Sequence, residues 1–290
     1  MVNYNPKDWL KFIFNFHKAD TFRTLTPMII VVSFYSAGVA YLETEVWKLS
    51  QDSHVKNLPV MHSLLGFVIS MLLVFRTNTA YDRWWEGRRQ WGSLVNCSRN
   101  LAIKISAFVP EGIERNFFRT AIPAYASALK NHLQSSKSLD EISDGDNELW
   151  KHLSVEKHVP NQIAAMIFKR VNHLHKEGTI SGDQLIVINN ELTALTDICG
   201  ACERIKNTPI PFSYSIFLKK FITIYVLTLP FGYVFTLGYY VIPVVAFIFY
   251  VLASLELIAE EIEEPFGKDA NDLPMDKIAQ NIRKNVVEII

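Results

Sequence analysis

The sequence predicts an all-α membrane protein with four transmembrane helices per subunit and a helical cytosolic region. Charged residues make up 20% of the chain, yet residues 24–42, 57–75 and 221–255 contain none. A helix that spans a bilayer needs roughly 20 mostly apolar residues, so each of the first two runs fits one span. The third run is too long for one span, and it predicts two helices joined by a tight turn near Gly238.

The charge balance and the cysteine content exclude several classes of protein. Lys and Arg together number 29, as do Asp and Glu, so a neutral chain offers no electrostatic reason to bind nucleic acid. The three cysteines are an odd number, which does not indicate a disulfide framework. The N-terminal segment lacks the compact apolar core of a secretory signal, and its mixed Lys and aromatic content predicts a position at the membrane interface.

Basic residues orient the spans. Four of them precede the first span, at positions 7, 11, 18 and 23, whereas the loop after it has only Lys48 and Lys56. By the positive-inside rule, both termini of a multi-pass inner (plasma) membrane protein then lie in the cytoplasm. The predicted parts are an interfacial segment (1–23), spans 1 and 2 (24–82), a cytosolic helical region (83–213), spans 3 and 4 (214–257) and a cytosolic C-terminal segment (258–290).

Few residues in the sequence carry a catalytic or metal-binding pattern. Cys199 and Cys202 have Cys-x-x-Cys spacing, but they lie in a run of helical periodicity after a Ser181 cap, where small residues serve helix contacts. A Gly-rich phosphate loop, a nucleophile elbow and a His-Glu-x-x-His motif are all missing from the sequence, which argues against an enzyme. His62 lies early in the second span, where it is either functional or solvated near the outer interface.

The second span carries an apolar stripe, which we define as Phe67, Met71 and Phe75. Their spacing puts them on one face of a helix. In a single chain such a stripe indicates packing or lipid contact. If several copies of the helix surround an axis, the stripe becomes rings of bulky side chains that form a hydrophobic constriction.

Three segments resemble the bestrophin family of ion channels. They are "LLGFVISMLLVFRTNTAYDRWWEGRRQWGSL" at 64–94, "LTALTDICGACERIKNTPIPFSY" at 192–214 and "EEPFGKDANDLP" at 263–274. The resemblance implies a homopentamer with one central pore, lined by the second span and narrowed by the apolar stripe. It also implies a second, cytosolic aperture between residues 183 and 188, for which Leu185 is the candidate.

The resemblance to the family also has implications for calcium binding and for ion selectivity. Eukaryotic members of the family carry a calcium clasp just after the Pro-Phe-Gly motif, and Asp269 and Asp272 match two of its acids. Lys268, Ala270 and Asn271 interrupt the acidic run, so we expect no required cofactor and a channel that conducts without calcium. Eukaryotic members pass chloride, whereas the prokaryotic branch implies monovalent cations, which we favour here over anions.

Charged residues crowd the end of the second span. We expect them to pair among themselves and with neighbouring subunits, because unpaired buried charges are costly. They are Arg76, Asp82, Arg83, Glu86, Arg88 and Arg89, with Asp82, Arg83 and Glu86 as the structural network. The expected partners of the chain are thus other copies of itself, monovalent ions and lipid. The alternatives are a membrane-anchored redox or metal-dependent enzyme and a non-conducting membrane scaffold.

Overall fold

A computed structural model describes residues 21–48, 57–136 and 153–290 of the chain. Within these ranges the chain is helical and forms no β-strand. The helices are α1 (Thr21–Tyr41), continued by the π-helical segment Leu42–Val46, then α2 (Leu58–Phe108), α3 (Ile113–Leu133), α4 (Val159–Lys176), α5 (Gly182–Asn207), α6 (Phe212–Leu237), α7 (Val241–Glu263) and α8 (Met275–Ile289). Nearly all of the expected interfacial N-terminal segment lies outside the described residues.

The described chain forms two compact units. The first, called the membrane unit, contains residues 21–48, 57–83 and 209–264, and the second unit contains 84–136, 153–208 and 265–290. One boundary falls inside the long helix α2, after Arg83. The other two fall after Thr208 and Glu264, where the sequence analysis placed them after 213 and 257.

The membrane unit contains the predicted spans. Helices α1, α2, α6 and α7 include the charge-free runs, and α1 packs against both α6 and α7. Its core consists mainly of aliphatic side chains from all four helices, such as Val32, Ile69, Leu229 and Val245. Many large apolar side chains remain on its outer surface, which suits contact with lipid or with other subunits.

The turn between the last two spans is confirmed. Helix α6 ends at Leu237, a single 3₁₀ turn covers Gly238–Tyr240, and α7 starts at Val241. Gly238 has a φ of 55°, which favours a residue without a Cβ atom. The apolar stretch Phe212–Glu263, 52 residues long, is thus divided into two helices, each long enough to span a bilayer.

The second unit has its own apolar core, built by α3, α4, α5, α8 and the C-terminal part of α2. Trp91, Phe118 and Tyr125 are fully buried there, and the Tyr125 hydroxyl donates a hydrogen bond to the Leu195 carbonyl at 2.6 Å. Helix α5 is long and apolar enough to cross a membrane by composition alone. Its buried side chains, however, complete the core of this unit.

Local signals set the limits of α5 as the sequence predicts. The Ser181 side chain accepts a hydrogen bond from the Gln184 backbone, and the Gln184 side chain accepts one from the Ser181 backbone, which is a complete capping box. The helix ends at Asn207, two residues before Pro209, which cannot continue the hydrogen-bond pattern.

Candidate pore-lining surface and its charge cluster

The apolar stripe lies on an open face of α2. The side chains of Phe67, Met71 and Phe75 are 71%, 46% and 56% exposed. The opposite face of the same helix is buried, and it includes Ile69, Leu73, Arg76 and Ala80. Because successive helical residues turn by about 100°, the exposed face and the anchored face are set by the sequence itself. This is the geometry that a pore-lining helix needs.

Arg76, next to the last residue of the stripe, is the most buried charged side chain of the membrane unit, with 1% exposure. Its Nη2 lies 2.7 Å from Oε2 of Glu263, and its Nε lies 3.5 Å from Oε2 of Glu256. Both carboxylates come from the last two turns of α7. We call Arg76, Glu256 and Glu263 the Arg76 cluster.

Glu263 also ties other backbone segments to this cluster. Its Oε1 accepts a hydrogen bond from the Ile210 N–H at 2.7 Å, and its carbonyl accepts one from Nε of Arg83 at 3.1 Å. The start of α6, the end of α7 and the end of the second span therefore meet at one residue. The cluster anchors the buried face of α2, opposite the exposed stripe.

Two of the charges after the second span, which were expected to pair among themselves and with neighbouring subunits, pair instead with other helices of the same chain. Arg76 pairs with carboxylates of α7. Glu86 pairs with Arg204 of α5, and the distance from Oε1 of Glu86 to Nη2 of Arg204 is 2.5 Å. The reason is that neighbouring residues on one helix point in different directions, so their partners come from helices packed alongside. Asp82 is exposed.

His62 is not solvated. It is 3% exposed, and its ring nitrogens lie 2.9 Å from the Leu58 carbonyl and 2.9 Å from the Thr228 hydroxyl. The ring also contacts Tyr225 edge-on, with centroids 5.5 Å apart. These contacts make His62 a packing residue that joins α2 to α6.

The predicted aperture residue, Leu185, lies in the first turn of α5 and packs against the core of the second unit. Its neighbour Ile186 is 69% exposed and Val187 is 42% exposed. In this segment, Ile186 is the apolar side chain that is most available to face a pore.

Asp269 and Asp272, the calcium-clasp-like pair, contact each other within one loop and differ in exposure. Asp272 is 3% exposed and its Oδ2 accepts a hydrogen bond from the Asp269 backbone N–H at 2.5 Å, while the Asp269 side chain is exposed. Calcium takes six to eight oxygen ligands. A carboxylate that caps its own loop beside Lys268 does not fit that demand.

Cys199 and Cys202 are buried, free thiols inside α5, as a structural interpretation requires. Burial raises the pKa of the nearby Tyr125 hydroxyl, which interacts with Cys199. A buried, apolar setting disfavours thiolates, so neither cysteine is placed for redox chemistry.

The structure also shows a cluster that the sequence analysis missed. His132, His158 and Glu203, called the His–Glu cluster, bring their ligand atoms within 4.8 Å of one another. They come from three helices and have no spacing motif in the sequence. Only the helical packing of the second unit brings them together.

Similarity to known proteins covers the whole chain. The family described as bacterial and fungal bestrophin protein matches residues 1–288. A voltage-dependent anion channel-forming protein of Synechocystis is 32% identical over 293 residues, which cover 99% of this chain and 93% of that protein. A protein of the same description from Nostoc is 38% identical over 245 residues, which cover 80% of each chain.

Solved structures agree with this match. A crystal structure described only as a membrane protein variant has a TM-score of 0.84 and 26% identity, and covers 91% of this chain and 98% of that one. A variant of a bacterial bestrophin homologue from Klebsiella pneumoniae has a TM-score of 0.83 at 26% identity, with the same coverage. The protein with this exposed stripe and anchored second span therefore belongs to the bacterial and fungal bestrophins, a family of ion channels.

Proposed function

We propose that the protein is a homopentameric channel for passive flow of monovalent ions, with a neck formed by Phe67, Met71 and Phe75. The observation that carries the proposal is the exposure of all three side chains on one face of a helix whose other face is anchored. Around a symmetry axis, each residue of the stripe becomes one ring of apolar side chains. Rings of this kind restrict ions by dewetting and dehydration.

The stripe carries no charge, so parts of the pore outside the neck must determine whether anions or cations pass. The resemblance to the prokaryotic branch favours cations, but the curated relatives are named as anion channel-forming proteins. These names support monovalent anions such as chloride as the permeant ions of this chain, and we propose them in place of the expected cations.

A reversal-potential measurement tests conduction and sign together. The purified full chain is placed in planar bilayers under a sodium chloride gradient. We expect current that reverses towards the equilibrium potential of chloride. Reversal towards that of sodium overturns the proposed sign, and a pentamer that carries no current in any salt overturns the channel in favour of a membrane scaffold.

The proposed setting is the inner membrane with both termini in the cytoplasm. The support is the excess of basic residues before the first span and the even number of spans. A C-terminal green fluorescent protein fusion should fluoresce in bacteria, and a fusion that is dark while a periplasmic reporter is active contradicts this orientation.

Removal of calcium should leave the current unchanged. The physical reason is that Asp272 caps its own loop, and two carboxylates alone supply fewer oxygens than the six to eight ligands that calcium takes. Single-channel currents are compared before and after a calcium chelator is added. Asp269→Asn serves as the matched variant, and a current that falls in the wild type but not in this variant contradicts the prediction.

Ile186→Ala should raise the conductance, because it removes an exposed side chain from the segment proposed to line the cytosolic aperture. Leu185→Ala is the matched control. It deletes a half-buried side chain packed on the core, so it should cost about 1–2 kcal/mol of stability without widening the pore. Bilayer recording measures the conductance of each variant, and thermal unfolding measures its stability. If Leu185→Ala raises the conductance and Ile186→Ala does not, Leu185 is the aperture residue.

A further inference from the structure

The His–Glu cluster has the composition and the spacing of a metal site. Nε2 of His132 lies 2.7 Å from Oε1 of Glu203, and Nε2 of His158 lies 2.6 Å from the same oxygen. The two imidazole rings approach each other with centroids 4.3 Å apart. Two imidazole nitrogens and one carboxylate oxygen are a ligand set that zinc and related divalent ions accept.

Each ligand comes from a different helix of the second unit. His132 lies in the last turn of α3, His158 is the N-cap residue of α4, and Glu203 lies in the last third of α5. All three side chains are about one-third exposed, at 33%, 28% and 31%. An ion from solvent can therefore reach them, and a water molecule can complete the coordination.

We propose that His132, His158 and Glu203 bind one divalent transition-metal ion of the zinc class, with water in the fourth position. The present contacts are hydrogen bonds, and metal–nitrogen and metal–oxygen distances of about 2.0–2.2 Å require the three ligand atoms to separate slightly. Since each atom belongs to a side chain at or near a helix end or surface, rotation about side-chain torsions provides this movement. A bound ion would join the three helices through one centre.

Metal binding requires the ring proton of His158 to move from one nitrogen to the other. Nδ1 of His158 accepts a hydrogen bond from the Asn161 N–H at 3.1 Å, so in the neutral ring the proton lies on Nε2 and faces Glu203. Coordination through Nε2 moves this proton to Nδ1 and breaks the bond to Asn161. That bond is exposed, so water can take the place of the lost acceptor.

Open space lies beside the cluster. A groove of about 660 Å³ between α4 and α5 is lined by Asn161, Lys169, Cys199 and Glu203, among other residues. Glu203, which both histidines contact, is one of its lining residues. The groove therefore adjoins the site within the second unit.

Metal titration of the full-length, tag-free protein in detergent tests the proposal. After treatment with a chelator, the protein is titrated with Co²⁺ and followed by the visible absorption of four-coordinate cobalt, and Zn²⁺ is then used to displace it. We expect one ion per chain and a rise of the thermal midpoint on Zn²⁺ addition, because a ligand that binds only the folded state stabilises it. Neither the cobalt absorption nor the thermal midpoint depends on ion conduction. A failure of the metal-site proposal can therefore be distinguished from a failure of the proposed channel function.

Two substitutions remove ligands while sparing the fold. Glu203→Gln keeps the shape of the side chain, and His158→Asn keeps a good N-cap residue for α4. Each removes a direct ligand, so it should weaken binding by at least about tenfold. The zinc-dependent rise in the midpoint should shrink accordingly. The matched control is His173→Ala, because His173 forms an exposed pair with Glu177 at 3.3 Å in the same helix as the His158 cap.

Three results overturn the proposal. They are the absence of saturable binding, equal affinity in the wild type and both ligand variants, and loss of binding in His173→Ala. In any of these cases the cluster is a hydrogen-bonded contact between helices and nothing more.

Discussion

Replacement of Phe67, Met71 and Phe75 together by alanine is expected to increase the single-channel conductance severalfold and to weaken closure. Each alanine removes one ring of bulky side chains from the proposed neck, so water fills the constriction and the cost of moving an ion through it falls. The stripe is exposed and lies outside the described core of its own unit, so the subunit should keep its fold. Planar-bilayer recording in symmetric salt measures the effect directly.

A matched control separates the neck from the lipid-facing surface. Phe34 of α1 is 74% exposed, close to the 71% of Phe67, but it lies outside the stripe. Phe34→Ala removes the same volume as the single replacement Phe67→Ala, from a similarly exposed position, and should leave the conductance unchanged. An unchanged conductance in the triple variant, or an equal rise in Phe34→Ala, contradicts the assignment of the neck.

Properties that depend on the bilayer and on helical periodicity were accessible from the sequence. The bilayer core sets a minimum length for an apolar run, and helices must satisfy their own backbone hydrogen bonds there. The runs 24–42, 57–75 and 221–255 therefore predicted α1, α2, α6 and α7, and Gly238 marked the turn. The common face of Phe67, Met71 and Phe75 followed from their spacing alone.

Properties that depend on partners distant in the sequence were not accessible. Arg76 pairs with Glu256 and Glu263, which follow it by more than half the length of the chain. The sequence showed that Arg76 must have a partner, but the crowd of nearby charges offered many wrong ones. The His–Glu cluster illustrates the same limit, because its three residues share no motif and meet only through packing.

The directions of the side chains in the first turn of α5 were also not accessible from the sequence. The capping residue Ser181 was identified correctly, but the rotation of the following side chains depends on which face of α5 the core covers. Ile188 and Leu192 are buried, and this phase turns Leu185 towards the core and Ile186 outwards. A shift of one residue in a helix changes the direction of the side chain by about 100°, so a resemblance over the segment 183–188 does not indicate which of these side chains is exposed.

Arg76→Ala is expected to lower the free energy of unfolding by about 3–5 kcal/mol, because it leaves buried carboxylates without their cation. The side chains of Glu256 and Glu263 are only 5% and 14% exposed, so water screens them poorly. The loss should appear as a lower thermal midpoint in detergent and as a smaller fraction of intact oligomer on size-exclusion chromatography. Arg76→Lys should recover only part of it, since an ammonium group cannot reach both carboxylates with the planar geometry of a guanidinium.

Two further variants determine whether charge is the cause. Arg76→Met combined with Glu256→Gln and Glu263→Gln removes all three charges while keeping the side-chain volumes, and the amide oxygen that Glu263→Gln introduces can still accept the Ile210 N–H bond. This triple variant should recover most of the stability that Arg76→Ala loses, because breaking a buried ion pair costs far more than replacing it. Lys284→Ala breaks an exposed pair with Glu288 in α8, with the charged atoms 3.9 Å apart, and should change stability by no more than about 1 kcal/mol. If the triple variant is as unstable as Arg76→Ala, then Arg76 stabilises the second span through packing and hydrogen bonds of its own rather than by neutralising the carboxylates of α7.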